Sequence, residues 1–215
     1  MSLEYYVIDT ETNGIKSGYH TMTEISIIRC TDRVQLSKNI ICETPERSSI
    51  DALNITKKTL ADLAKGYAKE DVVEKCEKFF MDDKKSSAHR CIVAHNAAFD
   101  RRFLWALWDS CGRQFPASLW LDTIALTRQF IKNAGLNETA KQNGDKKLKV
   151  NLQAACDIVG IKKIPEMHTA KSDSRNTYLL WKDLIDIKKI DYLPHIQNIP
   201  HSLKIEDEPD MSLLD

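Results

Sequence analysis

The chain has 215 residues and a mass of 24.6 kDa, which suits one domain with a tail rather than two full domains. With 42% hydrophobic and 29% charged residues it can bury a core, so global disorder is excluded. Thirty-one basic and thirty-one acidic side chains cancel, and overall charge therefore points to no partner. The balance is uneven along the chain: from Lys204 onward one lysine meets Glu206, Asp207, Glu208, Asp210 and Asp215, giving an acidic tail of net −4 on a body of +4. No apolar run approaches the ~20 residues that cross a bilayer, and the start of the chain has neither the basic nor the apolar segment of a secretion signal. A cytoplasmic protein without a membrane partner is expected. Six cysteines, with no pair or cluster at zinc-site spacing, read as reduced and mostly buried thiols.

Taken in chain order, three β-like runs come first: Glu4 to Ile8, Glu24 to Cys30 and Val34 to Cys42. Helical spacing follows over Thr56 to Ala64 and Asp71 to Phe80. Cys91 to Ala94 reads as a short buried strand, and Phe99 to Cys111 as a helix carrying Phe103, Leu104, Leu107 and Trp108. The cycle repeats with a strand at Leu119 to Leu121 and helices at Thr123 to Ile131, Leu152 to Val159 and Arg175 to Ile187. Strands first and αβ units later imply an α/β sandwich with a mixed sheet, antiparallel on one side and parallel on the other. The lysine-rich stretch from Gly135 to Lys149 has no apolar period and is expected to be a mobile loop; Pro194, Pro200 and Pro209 mark the end of the chain as a tail.

Three constellations carry chemistry. Asp9 and Glu11 lie two residues apart at the end of a strand, so both side chains project from one face. Two such charges repel unless a cation lies between them; the plainer alternative is a turn cap at Asp9 and a solvated Glu11. In His95-Asn96-Ala97-Ala98-Phe99-Asp100, Asn96 can cap a helix whose first turn holds Asp100, a position that favours a carboxylate on helix-end grounds alone. His168 stands five residues before Asp173, which opens the last long helix; an ordinary N-cap and an exposed loop histidine would account for the pair.

Their joint order, Asp9-x-Glu11, then Asp100 within His-Asn-x-x-Phe-Asp, then His168 and Asp173, resembles the DEDDh 3′–5′ exonucleases, the family of the bacterial polymerase proofreading subunit and of exonuclease X. The likeness extends over roughly residues 4–187 through Ala52-Leu53-Asn54-Ile55-Thr56, Leu121-Asp122-Thr123 and Asn151-Leu152-Gln153-Ala154-Ala155-Cys156. It implies an RNase H-like fold, a mixed five-stranded sheet flanked by helices, with the nuclease domain over 1–190 and a tail over 191–215. It also implies that Asp9, Glu11, Asp100 and Asp173 hold two Mg²⁺ or Mn²⁺ ions and that His168 is the general base. Four carboxylates suit such hard cations, and an imidazole with an ordinary pKa near 6.5 can take a proton at neutral pH. Contacts to substrate are expected from Thr10, Thr12, Asn13 and Asn96, and from Phe99 if its ring is not spent on the core. Asp122 is expected to cap its helix or to support the site, not to bind metal.

The expected activity is removal of nucleoside monophosphates from single-stranded or frayed DNA 3′ ends, in replication proofreading or repair. An RNA-directed exoribonuclease and a non-catalytic nucleic-acid-binding adaptor are the rival readings. The last residues, Asp210 to Asp215, are similar to peptides that dock on the bacterial sliding clamp, with Met211, Leu213 and Leu214 as anchors, although the leading Gln and final aromatic are missing. A clamp and a DNA polymerase are accordingly the expected protein partners.

Overall fold

The computed structural model describes residues 2–137, 148–165 and 168–202. Its sheet has six strands, one more than expected, in the order β3-β2-β1-β4-β5-β6. Strands β1 (Glu4–Thr12), β2 (Met22–Arg29) and β3 (Gln35–Asn39) form an antiparallel meander. β4 (Arg90–Ala94) runs parallel to β1, and β5 (Leu119–Asp122) parallel to β4. With helices on both faces this is the RNase H-like exonuclease architecture.

The alternation of β1 explains why both faces are covered. Tyr6 and Ile8 enter one apolar layer with Phe80, Phe103, Leu104 and Trp108; Val7 enters the other with Leu126, Ala155, Leu180 and Trp181. A strand buried on both sides must be apolar at consecutive positions, hence Tyr5 to Ile8. The first layer is closed by α3 (Lys69–Met81) and α4 (Ala97–Ser110), the second by α5 (Thr123–Asn133), α6 (Leu152–Val159) and α7 (Ala170–Lys182).

Three expectations change. The single helix read at Thr56 to Ala64 is two short ones, α1 (Ile50–Thr56) and α2 (Leu60–Leu63). Ser49 caps the first by accepting the Ala52 amide, Lys57 ends it in the left-handed region at φ 55°, and Thr59 with Asp62 forms a capping box for the second. The last long helix starts at Ala170, five residues before Arg175, because the Thr169 hydroxyl caps it through the Ser172 amide. Its run continues past Lys182 as a wider helical turn over Asp183–Ile187.

The third change concerns the segment after Tyr192. There β6 (Gln197–Asn198) pairs antiparallel with β5, the Ile199 carbonyl accepts the Trp120 indole N–H, and His201 is buried, accepting the Phe115 amide at 2.9 Å and meeting Asp109 at 3.0 Å. A two-residue strand among prolines carries no periodicity to read. The Asp210–Asp215 peptide and most of the lysine-rich loop lie outside the described residues.

Candidate active site

The odd-numbered positions of β1 face the layer that contains α7, and Asp9 and Glu11 continue the row begun by Val7. Pairing of β1 with β4 ends at Val7, so both carboxylates stand beyond it, at the open end of the sheet. A register shift between Glu11 and Thr12 on the β2 side adds local twist at the same place. Asp173 comes down from the first turn of α7, and Asp9, Glu11 and Asp173 each present a carboxylate oxygen within 4.8 Å of the other two.

Asp100 arrives from the opposite face. It sits in the first turn of α4, 3% exposed, and its Oδ1 accepts the Thr10 hydroxyl at 2.9 Å. Thr10, an even-numbered residue of β1, is thus the link by which the sheet carries an α4 carboxylate to the edge of the three-oxygen cluster. Asn96 stands at the N-cap of α4 but makes no side-chain cap, because its backbone is left-handed at φ 70°. Asp122 at the end of β5 does that work: it accepts the amides of Asn96 and Ala97, and also that of Ile124 at the start of α5. One carboxylate therefore fixes two helix starts.

The electrostatics of the cluster are unfavourable without a counter-ion. Burial, then the charges of Asp100, Glu11 and Asp173, push the Asp9 carboxyl well above its usual range. Burial followed by Asp173 and Glu24 raises Glu11 to about 8, with Lys58 acting against them. Asp100 is pushed up to about 7 by burial, although the Thr10 hydroxyl pulls the other way. Asp173 is raised by burial and eased by the His168 amide, which donates to its Oδ2 at 3.2 Å. Its other oxygen, Oδ1, is buried and makes no hydrogen bond of ordinary geometry, although the Asn176 side chain also eases the charge of this carboxylate. An all-oxygen donor set, raised carboxyls and a buried oxygen without an ordinary hydrogen bond fit a hard divalent cation.

His168 is half-buried in the left-handed region at φ 68°, directly before the α7 cap. Phe99 is half-buried against Phe103, ring centroids 5.0 Å apart, and packs on the core. Thr10, Thr12 and Asn13 are buried with side-chain atoms engaged internally: Thr12 donates to the Gly14 carbonyl, and Asn13 bridges Thr44 to Thr21. Asn96 is exposed.

Sequence reasoning missed Glu24 and Lys58. Glu24 Oε1 pairs with Lys58 Nζ at 2.7 Å, and Oε2 accepts the Ala170 amide at the start of α7. The available signal was a lone carboxylate at Glu24, between Thr23 and the largely apolar run from Ile25 to Ile28, where a glutamate has to be paired.

A family model described as Exonuclease matches residues 6–181. The chain is 28% identical over 191 residues to a PolC-type DNA polymerase III from Listeria monocytogenes, covering 86% of this chain and 12% of that protein. It spans about an eighth of that relative's length. Among solved structures, Escherichia coli exonuclease I in complex with a dA16 oligonucleotide superposes with a TM-score of 0.63 at 17% identity, covering 86% of this chain and 41% of the other. A 3′-exonuclease in a structure of 3′-end-specific recognition of a histone mRNA stem-loop gives a TM-score of 0.63 at 12% identity, with 96% and 73% covered.

Proposed function

Since the chain belongs to the DEDDh 3′–5′ exonuclease family, whose model matches it from residue 6 to residue 181, we propose that it removes nucleoside monophosphates from single-stranded or frayed DNA 3′ ends. The observation that carries this reading is the meeting of carboxylate oxygens from Asp9, Glu11 and Asp173, all within 4.8 Å of one another.

Asp9, Glu11, Asp100 and Asp173 would hold two Mg²⁺ or Mn²⁺ ions. Bound there, such ions supply positive charge to the attacking water, the phosphodiester and the leaving 3′ oxygen. His168 takes the proton of the attacking water; its peptide N–H is tied to Asp173, which anchors the residue's main chain beside the cluster. Thr10 holds Asp100, and Asp122 holds the helix start that carries it. Asn96 and the exposed edge of Phe99, together with the main chain from Thr10 to Asn13, form the surface against which the terminal nucleotide lies.

DNA is preferred over RNA as substrate because the curated relatives are DNA polymerases of the PolC type. Proofreading or repair is the corresponding setting, with a polymerase, or a sliding clamp reached through Met211, Leu213 and Leu214, as partner. The test uses single-stranded DNA and RNA labelled at the 5′ or 3′ end, with Mn²⁺, Mg²⁺ or EDTA. Mononucleotides released first from the 3′-labelled end, only with metal, and faster from DNA support the proposal. Faster release from RNA selects the exoribonuclease reading, and no release from either selects the adaptor.

A further inference from the structure

Beside the carboxylate cluster the described residues include one arginine that is half-buried and has no protein acceptor. Arg29, Arg90 and Arg113 each meet a carboxylate, and Arg33 and Arg128 are exposed. Arg101 instead lies with its guanidinium 5.6 Å from the ring centres of both Trp105 and Trp120. Among the described residues it makes no ion pair and no hydrogen bond. Five donors in a planar fork are thus fixed by stacking and left unused.

Arg101 forms a wall of a groove of about 310 Å³, with Ala97, Ala98, Trp120, Asp122 and His195. The groove opens at the C-terminal ends of β4 and β5, where Ala94 pairs with Asp122, and Arg101 directly follows Asp100 on α4. Asp122 lines the same groove and its charge favours the guanidinium, but its oxygens hydrogen-bond the amides of Asn96, Ala97 and Ile124 at 2.9–3.2 Å and none of them bonds Arg101. His195, which also lines the groove, meets the Gln129 side chain at 2.6 Å.

We propose that this groove binds a backbone phosphate of the nucleic-acid strand on the 5′ side of the scissile bond, with Arg101 as the residue that grips it. The inference rests on the exonuclease reading. A strand whose 3′ end lies at the carboxylates has no chain beyond that end, so any phosphate held away from them belongs to the 5′ side. Anion recognition by a pre-stacked guanidinium needs little further ordering of the side chain.

The experiment compares kcat/KM on a dodecanucleotide with that on the p-nitrophenyl ester of thymidine 5′-monophosphate, between 50 and 200 mM salt, for wild type, Arg101→Gln and Arg101→Lys. The dodecanucleotide-to-ester ratio is expected to fall about tenfold in Arg101→Gln and to recover only partly in Arg101→Lys, which restores the charge but not the stacked planar fork. The slope of log KM against log salt should become shallower by about 0.7, the value for one single-strand phosphate contact. An unchanged ratio and slope, or an equal loss on both substrates, overturns the proposal. Should Arg101→Gln not fold, a series from di- to hexanucleotide with wild type decides: kcat/KM must rise with length, and a flat series overturns the groove. Wild type that hydrolyses normally while failing these criteria removes only the groove; wild type without metal-dependent hydrolysis removes the exonuclease reading and the groove with it.

Discussion

Glu24 lies directly opposite Glu11 on the β1–β2 ladder, yet its carboxylate turns to Lys58 at 2.7 Å and to the Ala170 amide at 3.0 Å. The pair is only 12% and 15% exposed, so Lys58 is kept at the rim of the acidic cluster as the partner of a fifth carboxylate, not of the four expected ligands. Through Ala170 the same glutamate ties β2 to the helix that carries Asp173. Glu24→Gln keeps an acceptor for Ala170 but strands the lysine charge. A stability loss of about 1–3 kcal/mol by thermal denaturation is expected. The metal concentration for half-maximal activity should rise several-fold, because a freed Lys58 competes with a divalent cation for Glu11.

Asp173→Asn separates activity from stability. It removes a charge from a cluster in which like charges repel, so the metal-free protein should gain about 1 kcal/mol in EDTA. Hydrolysis of 3′-labelled oligonucleotide should fall by about three orders of magnitude. Loss of both activity and stability would show that the cluster is a structural device.

Without metal, the pH dependence should run opposite to that of most proteins above pH 5. Unfolded carboxylates titrate near 4, whereas Asp100 and Glu11 are raised to about 7 and about 8 and Asp9 well above its usual range. The folded state therefore binds more protons between these values. Its stability is fully present below the unfolded pKa and is lost as pH rises through the folded ones. Melting in EDTA should show Tm falling from pH 5 to pH 8, and the Tm increment given by Mn²⁺ growing over the same interval.

Far from the site, Asp83 receives a two-pronged contact from Arg90 at 2.7 and 2.9 Å and the Tyr6 hydroxyl at 2.8 Å, with both ionic side chains at most 3% exposed. Burial alone would raise its carboxyl, but Arg90, the Lys85 amide and Tyr6 together hold it below the usual range. That stabilisation is present above the unfolded carboxylate value and is lost as pH falls through the lower folded one. Asp83→Asn leaves Arg90 buried without its charge partner and should cost about 3–5 kcal/mol in urea denaturation at pH 7.

The sequence by itself settled the local matters: the doublet at the end of β1, the helix turn that holds Asp100, the place of Asp173 near the start of the last long helix, and most of the succession of strands and helices. These depend on alternation, helical period and caps within a few residues, which short-range sterics dictate. It did not show that Asp9 and Glu11 share a face with Asp173 while Asp100 comes from the other side through Thr10. Nor did it reveal that Asp122 rather than Asn96 caps α4, or that Glu24 and Lys58 border the cluster and residues 197–198 extend the sheet. Each of those facts joins residues dozens of positions apart. Only the packing of helices on both sides of one sheet fixes which charged groups are buried together, and burial is what turns separate carboxylates into a coupled site.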